Sequence, residues 1–144
     1  MGILNLPDSG SVYVDANCVI YSVEKINPFA SLLVPLWDAA STGRISILTS
    51  ELTLLETLVK PLGDKNRLLE ELFVSFLLNS REVRLIPIHA EVLLQAARLR
   101  AAHSLKTPDA IHAATAMNSG CQLFVTNDER FKKVSALNVA LLGD

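Results

Sequence analysis

Four acidic residues stand in short motifs where their spacing could do chemistry. They are Asp15 in Val14-Asp15-Ala16-Asn17, Glu56 in the run 50–56, Asp109 in Pro108-Asp109-Ala110-Ile111-His112, and Asp128 in Thr126-Asn127-Asp128. Carboxylate oxygens without a His/Cys cluster suit Mg²⁺ or Mn²⁺ better than zinc. Two carboxylates about 4 Å apart repel by roughly 4 kcal/mol at an effective dielectric of 20. Four brought together would therefore take up a dication or hold protons. A metal in such a site orients and deprotonates a water and neutralises charge building on a phosphate oxygen. Whether one ion or two would bind is left open.

Each acid alone has an ordinary explanation. An acid in a helix's first turn complements the dipole, and Asn-Asp after a strand is turn chemistry. Glu56 falls four residues after Leu52 and three before Val59, on one apolar face, where an acid is costly unless paired, metal-bound or at the margin. Their placement by the surrounding elements is what joins them. The pattern predicts strands at Val12–Val14, Ile45–Leu48, Val83–Ile88, Leu123–Val125 and Val139–Leu142. Between them fall helices from about Asn17 to Lys25, from Asn27-Pro28 to near Gly43, from a Ser50 cap to about Pro61, and from Asn66 to Asn79. Two more cover Val92 to His103 and Thr107-Pro108 to Gly120. Pro35 is expected to kink or interrupt the second helix. Strands alternating with helices imply a parallel sheet covered on both faces, a three-layer α/β domain. Ligands in such sheets bind beyond the carboxyl ends of the strands. Asp15, Asp109 and Asp128 all map to that edge.

These motifs, in this order and context, resemble the PIN domain over about residues 11–142, most nearly the single-domain proteins of the VapC toxin type. By that resemblance Asp15, Glu56, Asp109 and Asp128 take the family's four acidic metal-site positions, and Asn17 and Thr126 its frequent polar neighbours. It implies a Mg²⁺- or Mn²⁺-dependent endoribonuclease, the toxin of a toxin–antitoxin pair, acting on single-stranded or looped RNA. It also implies a possible cognate antitoxin. A general RNA-processing nuclease has the same chemistry, and a non-catalytic interaction module is the alternative of a different class.

The rest of the sequence bounds these readings. At 144 residues the chain is expected to form one domain, 1–144, able to fold without disulfide or zinc. Its net charge of −2 rules out a global basic field. Lys60, Lys65, Arg67, Arg81, Arg84, Arg98 and Arg100 could line an RNA groove or simply be solvated. Cys18 and Cys121 lie in apolar stretches and are expected as reduced thiols in a cytoplasmic protein. His112, three residues after Asp109, reads as a histidine packed against helix or sheet rather than a ligand. His89 and His103 show no metal spacing. The six glycines include no pair one residue apart, so G-x-G and P-loop patterns are absent. Asp15-Ala16-Asn17 lacks both the neighbouring acid pair of a receiver domain and the Asp-x-Asp of a haloacid dehalogenase. No apolar run reaches the roughly 18 residues of a membrane span. The opening Met1-Gly2-Ile3-Leu4-Asn5-Leu6 lacks the pattern of a secretory signal. A hydrophobic content of 50%, with a helix at Asn66–Asn79 apolar nearly all round, predicts a homodimer through the helices around Trp37 and Leu68–Leu78.

Overall fold

The computed structural model describes residues 3–143, so the first two positions of the N-terminal reading lie outside the described residues. Strand β1 (Ser11–Val14) runs into helix α1 (Ala16–Val23), followed by α2 (Phe29–Ser41) and β2 (Ser46–Ser50). Next come α3 (Leu52–Gly63), α4 (Arg67–Leu78), β3 (Val83–Ile86), α5 (Ala90–Ala102) and α6 (Thr107–Ser119). The chain closes with β4 (Leu123–Thr126), a short 3₁₀ turn (Glu129–Lys133) and β5 (Val139–Leu141). The five strands are all parallel, in the order β3-β2-β1-β4-β5. The order reverses beside β1, and that reversal opens a crevice between β1 and β4 at their carboxyl ends.

Strand alternation divides the core in two. Val12, Val14, Ile47 and Val125 face α1, α2 and α4, whose Val19, Leu33, Leu36, Phe73 and Leu77 complete one layer. Tyr13, Leu48 and Phe124 point the other way, against α5 and α6 with Val92, Ala96, Leu99, Ala110 and Ala113. Side chains of period 2 on the strands and 3.6 on the helices make this the three-layer arrangement expected. Helix α6 is buried almost all round from Ala110 to Ala116, because its small residues let the backbone approach the sheet closely. Among the described residues no helix is long and apolar enough to cross a membrane. Cys18 and Cys121 are both free thiols.

Local differences from the sequence reading have plain causes. Pro35 does not interrupt α2, since Leu33 and Leu36 on either side of it are wholly buried and hold the helix in place. Ser50 ends β2 rather than standing in the cap position, yet its Oγ accepts the N–H of Leu52 at 3.0 Å and still serves the start of α3. Strand β3 stops at Ile86 because Pro87 has no N–H for the ladder. Helix α4 is flanked by Asn66 and Asn79, and Asn66 Oδ1 accepts the N–H of Leu69.

Candidate active site

Asp15 is where β1 becomes α1. Its Oδ1 accepts the N–H of Cys18 at 3.2 Å, capping the helix, and its Oδ2 accepts the Thr126 hydroxyl. The residue is 6% exposed. Burial raises its pKa above the ordinary carboxyl range, while the Thr126 hydroxyl opposes that rise. Thr126 closes β4, so one hydroxyl ties the ends of the two central strands together. The same oxygen accepts the N–H of Asp128 at 3.0 Å, which shapes the turn after β4.

Glu56 comes from α3, but not from the face that singled it out in sequence. The buried face of that helix is Thr53, Thr57 and Pro61, while Val59 is exposed. Threonines can be buried here because their hydroxyls are satisfied. Thr53 meets Thr49 Oγ1 at 2.7 Å, and Thr57 donates to the Thr53 carbonyl at 2.8 Å. Glu56 sits beside this face, with its Oε1 at 2.5 Å from His112 Nε2. Asp109 lies in the first turn of α6, just after Pro108, on the same side as His112. Burial raises its pKa first of all; Arg130 opposes the rise, and the neighbouring Asp128 and Glu56 add to it.

Asp15, Glu56 and Asp109 line one pocket of about 170 Å³ together with Ala16, Asn17, Ile20, His112 and Phe131. Asp128 is not among the lining residues. It accepts the backbone N–H of Arg130 at 2.9 Å and is clasped by the Arg130 guanidinium, which lowers its pKa. Arg130 also reaches Asp109 at 3.7 Å, so the fourth acid is linked to the pocket through a cation. As they stand, no three His, Cys, Asp or Glu side chains among the described residues are grouped closely enough to grip an ion. Two of the four acids are held by protein partners, Glu56 through Oε1 by His112 and Asp128 by Arg130.

Two residues at the site were not among its candidates in the sequence reading. Arg130 stands two residues after Asp128, but only the turn after β4 brings its guanidinium back over Asp109. His112 is the packed histidine expected, 3% exposed, and it also touches an acid of the pocket. Its spacing from Asp109 was the one available signal. Asn17 is exposed at the pocket, and Thr126 is wholly buried behind Asp15.

The PIN domain family matches residues 12–137 of this sequence, nearly its whole length. The chain belongs to the PIN domain family. Its members are generally nucleases. No curated protein matches the sequence. Among solved structures, VapBC2 from Rickettsia felis bound to a promoter DNA fragment is similar at 18% identity. It aligns over 91% of this chain and 98% of that one, with a TM-score of 0.71. FitAcB from Neisseria gonorrhoeae is similar at 19% identity over 92% and 98%, with a TM-score of 0.68. A toxin–antitoxin complex from Klebsiella pneumoniae is similar at 20% identity over 91% and 97%, with a TM-score of 0.62. At these identities the likeness establishes the shared PIN fold.

Proposed function

We propose that this PIN domain is a divalent-metal-dependent endoribonuclease and the toxin of a toxin–antitoxin pair. One observation carries the reading: Asp15, Glu56 and Asp109, from three different elements, converge on a single small pocket at the carboxyl edge of the sheet. The donor set fits a hard cation. Its acidic ligands are carboxylates, and burial already holds Asp15 and Asp109 above their usual range, a condition a nearby dication relieves. Asp15, Glu56, Asp109 and Asp128 would hold Mg²⁺ or Mn²⁺. Bound there, the ion would supply Lewis-acid chemistry, lowering the pKa of a water and neutralising charge on a phosphoryl oxygen.

The chain's own residues do the rest. Thr126 and the Cys18 N–H fix the direction of the Asp15 carboxylate. Arg130, about half exposed and held by Asp128, keeps a cation beside Asp109 where a phosphodiester would approach. Asn17 adds an exposed amide. At about 170 Å³ the pocket is smaller than the roughly 300–1,000 Å³ that encloses a small ligand, so an RNA strand would lie across its mouth.

The similarity to solved toxin–antitoxin complexes supports the toxin role and an antitoxin partner. A small DNA-binding protein encoded in the neighbouring reading frame would separate this role from general RNA processing. The test of activity is cleavage by the purified protein. It should cut single-stranded or structured RNA in Mg²⁺ or Mn²⁺ and stop in EDTA. Undiminished cutting in EDTA, or no metal-dependent cutting of any RNA, would reject the reading.

A further inference from the structure

A single run of hydrogen bonds crosses the buried face of the sheet and ends on a pocket carboxylate. The backbone N–H of Ser50 donates to the Tyr13 hydroxyl at 3.1 Å. That hydroxyl is 2.6 Å from His112 Nδ1, and His112 Nε2 is 2.5 Å from Glu56 Oε1. With a carboxylate oxygen as acceptor, the proton between the two lies on Nε2. The Tyr13 hydroxyl then donates to Nδ1, and every member of the run is satisfied in one direction. In this arrangement Nε2 is the ring nitrogen that faces Glu56 and Nδ1 the one that faces Tyr13.

Its members lie on the elements that carry the three pocket acids. Tyr13 is two residues before Asp15 on β1, His112 is one turn after Asp109 on α6, and Glu56 is itself on α3. The rings are also locked by packing. Tyr13 stacks on Phe124 with centroids 5.1 Å apart and meets the His112 ring edge-on at 5.9 Å. Both are buried among Leu48, Ala110 and Ala113, where a phenol and an imidazole are costly and apolar side chains of similar size would fill the space. Full satisfaction of both rings offsets that cost without explaining why polar rings stand there. Their outlet does: Glu56 is a long, part-exposed side chain that would otherwise sample several rotamers.

We propose that Tyr13 and His112 are positioning residues that hold the Glu56 carboxylate at the pocket for a divalent cation. This rests on the metal-dependent nuclease reading and adds to it two residues outside the acidic set. Partners that orient ligating groups typically change metal affinity or activity by about 10–100-fold when removed.

The test measures Mn²⁺ binding directly, by electron paramagnetic resonance or calorimetry, on the intact protein, alongside RNA cleavage. His112→Asn keeps an amide near Nδ1 but reaches short of Glu56, and should weaken Mn²⁺ by about 10–100-fold. Its kcat should fall while KM for RNA stays close to wild type. His112→Gln places an amide N–H near the position of Nε2 and should restore most of both. Tyr13→Phe keeps the ring volume, serves if His112→Asn does not fold, and should weaken Mn²⁺ in the same direction. Nitrogen NMR of the wild-type imidazole should show the Nε2–H tautomer. In a Glu56→Gln background, His112→Asn should cause no further loss.

Mn²⁺ affinity unchanged in both His112→Asn and Tyr13→Phe would overturn the proposal. So would a loss that persists in full in the Glu56→Gln background. If wild type binds Mn²⁺ and cuts RNA while the variants match it, only the positioning role falls. If wild type neither binds nor cuts, the nuclease reading falls and takes this role with it.

Discussion

Asp109 shows how a single charge is set by its surroundings. Its carboxyl is raised mainly by burial, and Arg130 only partly offsets this. A carboxyl that binds its proton more readily in the folded state contributes stability below its unfolded value of about 3.9, and that stability is lost as pH rises through the folded value. At neutral pH the charge is therefore a cost. Asp109→Asn should leave the protein at least as stable as wild type in EDTA at pH 7, and wild type should gain on the variant as pH falls toward 4. With Mn²⁺ the order should reverse. A ligand at one hundred times its Kd stabilises a single site by about 2.7 kcal/mol, and the variant should lose most of that. For a chain near this size the loss is a Tm difference of about 5–10 °C. Thermal melts of both proteins in EDTA and in Mn²⁺ measure it. Strong destabilisation in EDTA would make Asp109 a helix-start residue only, and an equal gain from Mn²⁺ would place the metal elsewhere.

At the scale of elements, α6 carries two residues of the pocket, Asp109 and His112, and its ends are set by local chemistry. Pro108 opens it, and Gly120 closes it in the left-handed region at φ +66°. Nothing lies within 4 Å of a Cβ built at Gly120, so a side chain there meets no clash and suffers only the backbone strain. Gly120→Ala should cost about 1–2 kcal/mol in urea unfolding, the penalty for an L-residue in that conformation, and Gly120→Asn less. A neutral alanine variant would show that the turn after α6 relaxes out of the left-handed region. Asp109 and His112 lie in the first two turns of α6, so loosening its C-terminal end should leave them in place while lowering global stability.

For the whole molecule, apolar side chains left outside the core set the expected assembly. Helix α4 buries Phe73 and Leu77 but leaves Leu68, Leu72 and Leu78 exposed, with Leu68 at 68%. Trp37 of α2 packs edge-on against Phe76, and the two helices flank an open groove of about 520 Å³ with Leu72 at its wall. A second stripe on α3, Leu55, Val59 and Leu62, is also exposed. Exposed apolar side chains at helical spacing lead to the expectation that a second copy of the chain covers them. The isolated chain should run in light scattering at about twice its 15.7 kDa mass. Leu68→Glu with Leu72→Glu should shift it toward monomer with the fold retained, since neither residue is in the core. A wild-type monomer at micromolar concentration would reject the dimer.

Much of the architecture was legible in sequence because it follows from short-range periodicity. Short apolar runs marked all five strands, and Thr107-Pro108 and Gly120 marked both ends of α6. Asp15, Asp109 and Asp128 could be placed at one edge because each follows a strand or opens a helix, positions that chain direction alone assigns. Distances between side chains from remote elements were not legible. Glu56 was singled out for an apolar stripe with Leu52 and Val59, yet α3 turns its threonines inward because β2 supplies a partner for Thr53. Arg130 is two residues from Asp128 in sequence, but only the 3₁₀ turn brings it to Asp109. Likewise the contact from Tyr13 through His112 to Glu56 spans 99 and then 56 positions. Residue type and local spacing determined the elements and the edge on which the acids lie. Packing decided which acids share a pocket and which are held by a histidine or an arginine, because those contacts depend on how remote elements dock and no local pattern encodes that.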